Sequence, residues 1–145
     1  MSTERGHRRP LSSFVLRGAA LGAGLAAVAF ARRWLDVVEV QGGSMAPTLL
    51  AGEWLIVESR TYTRRQPRVG EIVLAADPRE PERELIKRVA SLDPFARTLE
   101  LRGDTPEAST DSRAFGSIPM QDVRWRVVGR YWPARRIGPI EALPG

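Results

Sequence analysis

Ser44 stands in GGSMAPTL, residues 42–49, after two glycines and ahead of Pro47. A serine hydroxyl becomes a nucleophile only when a base takes its proton, and the usual bases are missing. The one histidine, His7, lies in a polar, arginine-rich N-terminal tail. A Ser-His-Asp triad or a His-based metal site therefore has no imidazole to use. There is no cysteine, which excludes thiol nucleophiles, disulfides and thiolate metal sites. Carboxylates are weak bases at their ordinary pKa. What remains is Lys87, the single lysine in a chain with 22 Lys and Arg residues. Arginine cannot release its proton near neutral pH, whereas a buried lysine can.

Lys87 sits in LIKRV. Read as a strand, this run puts Lys87 on one face with Leu85 and Val89, and Ile86 with Arg88 on the other. An apolar face would desolvate the ammonium and lower its pKa. Taken singly, both residues keep ordinary readings. Ser44 is then a polar residue in a Gly/Pro bend, and Lys87 a strand lysine reaching solvent past its neighbours.

The elements that must bring the two together are strands. LDVVEVQ after Trp34, EWLIVES (53–59), EIVLAA (71–76), ELIKRVASL (84–92), ARTLELRG (96–103) and VRWRVVGRYWP (123–133) alternate or are β-branched. TYTRRQPRVG reads as an exposed polar loop and DTPEASTDSRAFGSIP as a long irregular stretch. No amphipathic helix is expected beyond residue 34. The prediction is a mainly β, compact antiparallel domain over residues 34–145.

Ahead of it lie a basic tail, 1–10, and an apolar run, 11–31, of about one bilayer thickness. Three readings of that run stand: a transmembrane anchor, a cleaved signal peptide ending at AVAFA, or a helix packed on the domain. The anchor is favoured, because Arg5, Arg8, Arg9 and Arg17 outweigh Arg32 and Arg33. That bias puts the N-terminus in the cytoplasm and the β domain on the outer face of a single-pass protein. The net charge of +5 comes with no nucleic-acid-binding signature, so a nucleic-acid partner is not expected.

The ordered set SMAPTL, GEIV, LIKRV and GDTPEASTDSRAFG, closed by GRYWPARRIG, resembles type I signal peptidases, which are Ser-Lys serine proteases. The resemblance spans residues from about 38 to 133. The short interval between Lys87 and Gly103 is similar to the minimal members: mitochondrial inner membrane peptidases and nickel-type superoxide dismutase maturation proteases. It implies a β-rich, membrane-anchored endopeptidase that removes leader peptides from exported precursors through an acyl-enzyme, without metal or cofactor. It implies that Ser44 is the nucleophile, Lys87 the general base, and Ser109 the serine that hydrogen-bonds and orients the lysine. Met45 would shape the substrate surface, and Gly42, Gly43 and the Ser44 N–H would form the oxyanion side. Gly42 stands where some members carry a serine that helps hold the oxyanion. Gly103, Asp104 and an Asp111–Arg113 ion pair would support the site.

Two departures from the family pattern, Thr105 in place of asparagine and Glu71 in place of aspartate, are expected not to touch the dyad. The expected partners are leader-bearing precursors and membrane lipid, and the expected state is a monomer. A dedicated protease for one precursor, such as a nickel-type superoxide dismutase, and a catalytically silent domain that binds extended peptides are the alternatives. A self-cleaving repressor of the related Ser-Lys fold ranks last, for want of a helix-turn-helix segment.

Overall fold

The alternating, β-branched runs form a mainly β structure in which every strand pairing is antiparallel. A computed structural model describes residues 23–30 and 32–140, and the chain divides between Arg33 and Trp34 into two units. In the second unit the strands are β1 (Leu35–Glu39), β2 (Trp54–Glu58), β3 (Ile72–Ala76), β4 (Glu84–Asp93), β5 (Thr98–Arg102), β6 (Ile118–Pro119), β7 (Val123–Trp132) and β8 (Gly138–Pro139). They form one sheet in the order β1-β2-β7-β3-β4-β5-β6, with β8 on β7. The six strands expected from the sequence are present, with ends shifted by about two residues at most. The two-residue strands β6 and β8 were not foreseen. Each ends on a proline and is too short to show alternation.

β3 lies between β7 and β4 and is buried on both faces. Ile72 and Leu74 join one apolar cluster with Val40, Met45, Leu49 and Leu55. Val73 and Ala75 join a second, with Val89, Leu99 and Leu101. Val73 is paired with Lys87 and Leu74 with Ile86. In an antiparallel ladder directly paired residues share a face, so Lys87 belongs to the face of the second cluster.

Residues 61–70 form a loop, as expected, with all but Pro67 and Gly70 exposed or half-buried, but it is tied down at several points. Thr61–Thr63 forms a 3₁₀ turn, the Tyr62 hydroxyl donates to Glu71 at 3.0 Å, and Arg65 pairs with the same carboxylate. Glu71 is buried at the head of β3, and a buried carboxylate requires such donors. Hydrogen bonds from Arg65, the Arg68 N–H and Tyr62 outweigh the effect of burial, which by itself would raise its pKa, and hold Glu71 below the usual value. One loop expectation needs correction: a one-turn helix, Ser112–Phe115, lies within the stretch expected to be irregular. It is capped by Asp111, whose side chain accepts from the Arg113 N–H at 3.1 Å. Four residues are too few to display helical periodicity.

The apolar run at 11–31 falls largely outside the described residues. Within it, residues 23–30 are helical, with Leu25, Val28 and Phe30 exposed. Among the described residues no helix is long and apolar enough to cross a membrane.

Candidate active site

Ser44 is presented by a compact turn between β1 and β2. The Ala46 N–H donates to the Gly43 carbonyl at 3.1 Å, and the Leu49 N–H to the Met45 carbonyl at 2.8 Å. Met45, 1% exposed, and Leu49 anchor the turn in the first apolar cluster. Gly42 has φ +77°, in the left-handed region that favours glycine. A Cβ at Gly42 or Gly43 would meet no atom within 4 Å, so the space beside both is open.

Lys87 Nζ lies 2.6 Å from Ser44 Oγ. The lysine is only 4% exposed. Burial pushes its amine below the ordinary lysine value; the Asp111 charge opposes this, and Arg83 and Arg113 reinforce it. A neutral amine within hydrogen-bond distance of a serine hydroxyl has the geometry to accept its proton.

The segment after β5 packs against the serine turn. Gly103 is forced by contact: a Cβ there would lie 2.3 Å from Ser109 Oγ and 2.6 Å from the Ser44 carbonyl oxygen. The Gly103 N–H donates to Asp111 at 2.9 Å. Ser109 Oγ donates to Asp111 Oδ2 at 2.7 Å; among the described residues the hydrogen bond expected between Ser109 and Lys87 is absent, because the Ser109 hydroxyl is held by the Asp111 carboxylate and the lysine amine is bonded to Ser44. Asp111, 1% exposed, is paired with Arg113 at 2.6 Å. The Arg113 hydrogen bond keeps the Asp111 carboxyl far below the usual range despite its burial, and Gly103 and Ser109 add to the effect.

Asp104 pairs with Arg88 at 2.7 Å, and Arg88 also donates to the Gly70 carbonyl at 2.8 Å. Arg88 was not singled out from the sequence. Its position beside Lys87 on an apolar strand was visible, but its partner, Asp104, lies at the end of a different strand. Thr105 corrects an expectation. Its N–H donates to the Ser44 carbonyl at 3.0 Å and its hydroxyl to the Ala46 carbonyl at 2.7 Å. It therefore grips the serine turn directly rather than lying apart from it.

A groove of about 280 Å³ opens on Ser44 and Lys87. Val38 to Gly42, Met45, Leu74 and Arg83 to Ile86 also line it, so it is bounded by the edge strand β1 with the residues after it and by the start of β4. Among the described residues no group of His, Asp or Glu is arranged to hold a metal ion.

Comparisons with known proteins identify the family. The family model "Signal peptidase, peptidase S26" matches residues 13–94, a span that contains both Ser44 and Lys87. The Arabidopsis thaliana mitochondrial ATP-independent inner membrane protease subunit 1b is 32% identical, over 71% of this chain and 73% of its own length. The human mitochondrial inner membrane protease subunit 1 is 29% identical, over 74% and 76%. The signal peptidase I of Aquifex aeolicus is 31% identical over a shorter match, 43% of this chain and 25% of the relative. On the extent of the family match and of these similarities, the chain belongs to the signal peptidase family, peptidase S26.

Proposed function

We propose that this peptidase is a membrane-anchored serine endopeptidase that removes N-terminal leader peptides from exported proteins with a Ser44–Lys87 dyad. The observation that carries the reading is the 2.6 Å approach of a buried lysine amine to the Ser44 hydroxyl at the foot of an open groove. The precursor lies extended in the groove. Neutral Lys87 accepts the Ser44 proton as Oγ attacks the scissile carbonyl. The backbone N–H of Ser44, with the open Gly42–Gly43 side, receives the oxyanion. The C–N bond then breaks, Lys87 gives its proton to the leaving amine, and an ester to Ser44 remains. Water, deprotonated by Lys87, hydrolyses that ester and regenerates the serine. Ser109 and the Asp111–Arg113 pair support the lysine, and Gly103 and Asp104 support the turn.

Residues 11–31 form the anchor, with 1–10 in the cytoplasm and 34–145 on the outer face. The basic residues ahead of the run support this orientation, and the names of the mitochondrial relatives support an inner-membrane setting. A dedicated role on one precursor is the narrower version of the same chemistry.

Cells making wild-type protein or Ser44→Ala test the reading. Mass spectrometry of exported proteins should show leader-free N-termini only with wild type. Equal processing in both would exclude Ser44 as the nucleophile. Binding of leader peptides with no cleaved product from wild type would favour the silent peptide-binding domain.

A further inference from the structure

The serine turn is also contacted by a charge cluster, built on a buried carboxylate, that the reaction above does not use. Glu53, 3% exposed, accepts from the Leu50 N–H at 3.1 Å. It is paired with Arg130 at 2.8 Å and with Arg136 at 2.6 Å. Both arginines reach past it to the serine turn. Arg130 Nη2 donates to the Thr48 carbonyl at 2.6 Å, and Arg130 Nη1 donates to the Arg136 carbonyl at 3.1 Å. Arg136 Nη2 approaches the Pro47 and Thr48 carbonyls, each at 3.4 Å. Thr105 already holds the carbonyls of Ser44 and Ala46. The turn is thus held by two separate parts of the chain, the segment after β5 and β7 with the segment that follows it.

We propose that Glu53, Arg130 and Arg136 are positioning residues for the peptidase reaction. They hold the Ser44 turn by its Pro47 and Thr48 carbonyls, so that Oγ stays within reach of the Lys87 amine. The physical need is specific. A turn has no ladder of its own to fix its carbonyls, and a small displacement of a nucleophile costs far more in rate than in stability. Two guanidiniums can be gathered at one turn only if a carboxylate neutralises them, since unpaired charges here would be strongly disfavoured. Glu53 fills that role, and its hydrogen bond from Leu50 ties it to the end of the same turn. The inference rests on the Ser44–Lys87 reading of the reaction.

The test uses the full chain in detergent with a leader-bearing peptide, comparing wild type, Arg136→Ala, Arg136→Lys, Ser44→Ala and the surface variant Arg102→Ala. Arg136 is 30% exposed, so Arg136→Ala is the variant that should fold. Its kcat should fall about 10- to 100-fold with KM and Tm nearly unchanged. Arg136→Lys should restore part of kcat, and Arg102→Ala should match wild type. Glu53→Gln, which keeps an acceptor for Leu50 but loses the charge, should lower kcat in the same way if it folds. The proposal is overturned if Arg136→Ala keeps kcat within about twofold of wild type while Ser44→Ala is inactive. It is equally overturned if the loss in kcat only tracks the fraction of protein folded. Cleavage by Ser44→Ala at the wild-type rate would instead sink the dyad reading itself.

Discussion

At the scale of single residues, the decisive property is the protonation of Lys87. Its ordinary value is 10.5, and burial lowers it. A general base acts in its deprotonated form, so kcat/KM should rise with pH and level off below pH 10.5. The same shift sets a stability trend. The unfolded chain binds this proton more readily than the folded one, so between the folded value and 10.5 stability rises with pH, and below that window the buried amine opposes folding. Lys87→Arg removes the free base and should lower kcat about 10²- to 10⁴-fold. Steady-state cleavage of a leader peptide, with circular dichroism to verify folding, checks this. A folded Lys87→Arg protein that cleaves at the wild-type rate would end the base assignment.

At the scale of elements, the site is the meeting of a turn, a strand and an irregular segment. Gly103 is where they touch. Gly103→Ala places a methyl group against Ser109 Oγ and the Ser44 carbonyl. Overpacking of this kind costs about 1–3 kcal/mol, and here the displaced atoms belong to the site. Loss of peptide cleavage together with a lower urea midpoint is expected. Adding Ser109→Gly removes the contact with Ser109 but not the backbone contact with Ser44, so activity should stay low. Full activity in Gly103→Ala would mean that the segment after β5 does not brace the serine. The strands themselves were readable from alternation, and so was the apolar face that carries Lys87. The one-turn helix at Ser112–Phe115 and the packing of residues 61–70 on Glu71 were not, because both depend on donors meeting a buried carboxylate.

At the scale of the whole molecule, the proposed membrane anchor can be tested directly. The chain carries a net charge of +5 and an apolar run ahead of Trp34. Full-length protein inserted into vesicles should float with them and resist extraction by alkaline carbonate. A protein lacking residues 1–33 should stay in solution. External protease on vesicles of known orientation should remove either the basic tail or the β domain, not both. Carbonate-extractable full-length protein would remove the anchor from the proposal.

Composition alone narrowed the possible chemistry. With no cysteine, one histidine in the tail and a single lysine, a serine nucleophile had one neutral base to turn to. Hydrophobic periodicity also determined most strands, because side-chain alternation is a local property of the chain. Whether Ser44 and Lys87 meet could be seen only in the folded chain, since their approach depends on the register of β3 against β4 and on how the turn before β2 is held. The folded chain alone shows the polar pairs around them. Arg88 finds Asp104, Thr105 finds the Ser44 and Ala46 carbonyls, and Glu53 gathers Arg130 and Arg136. Charge pairing between distant segments leaves no spacing to read in the chain. It is fixed by which buried groups must be satisfied once the strands have assembled.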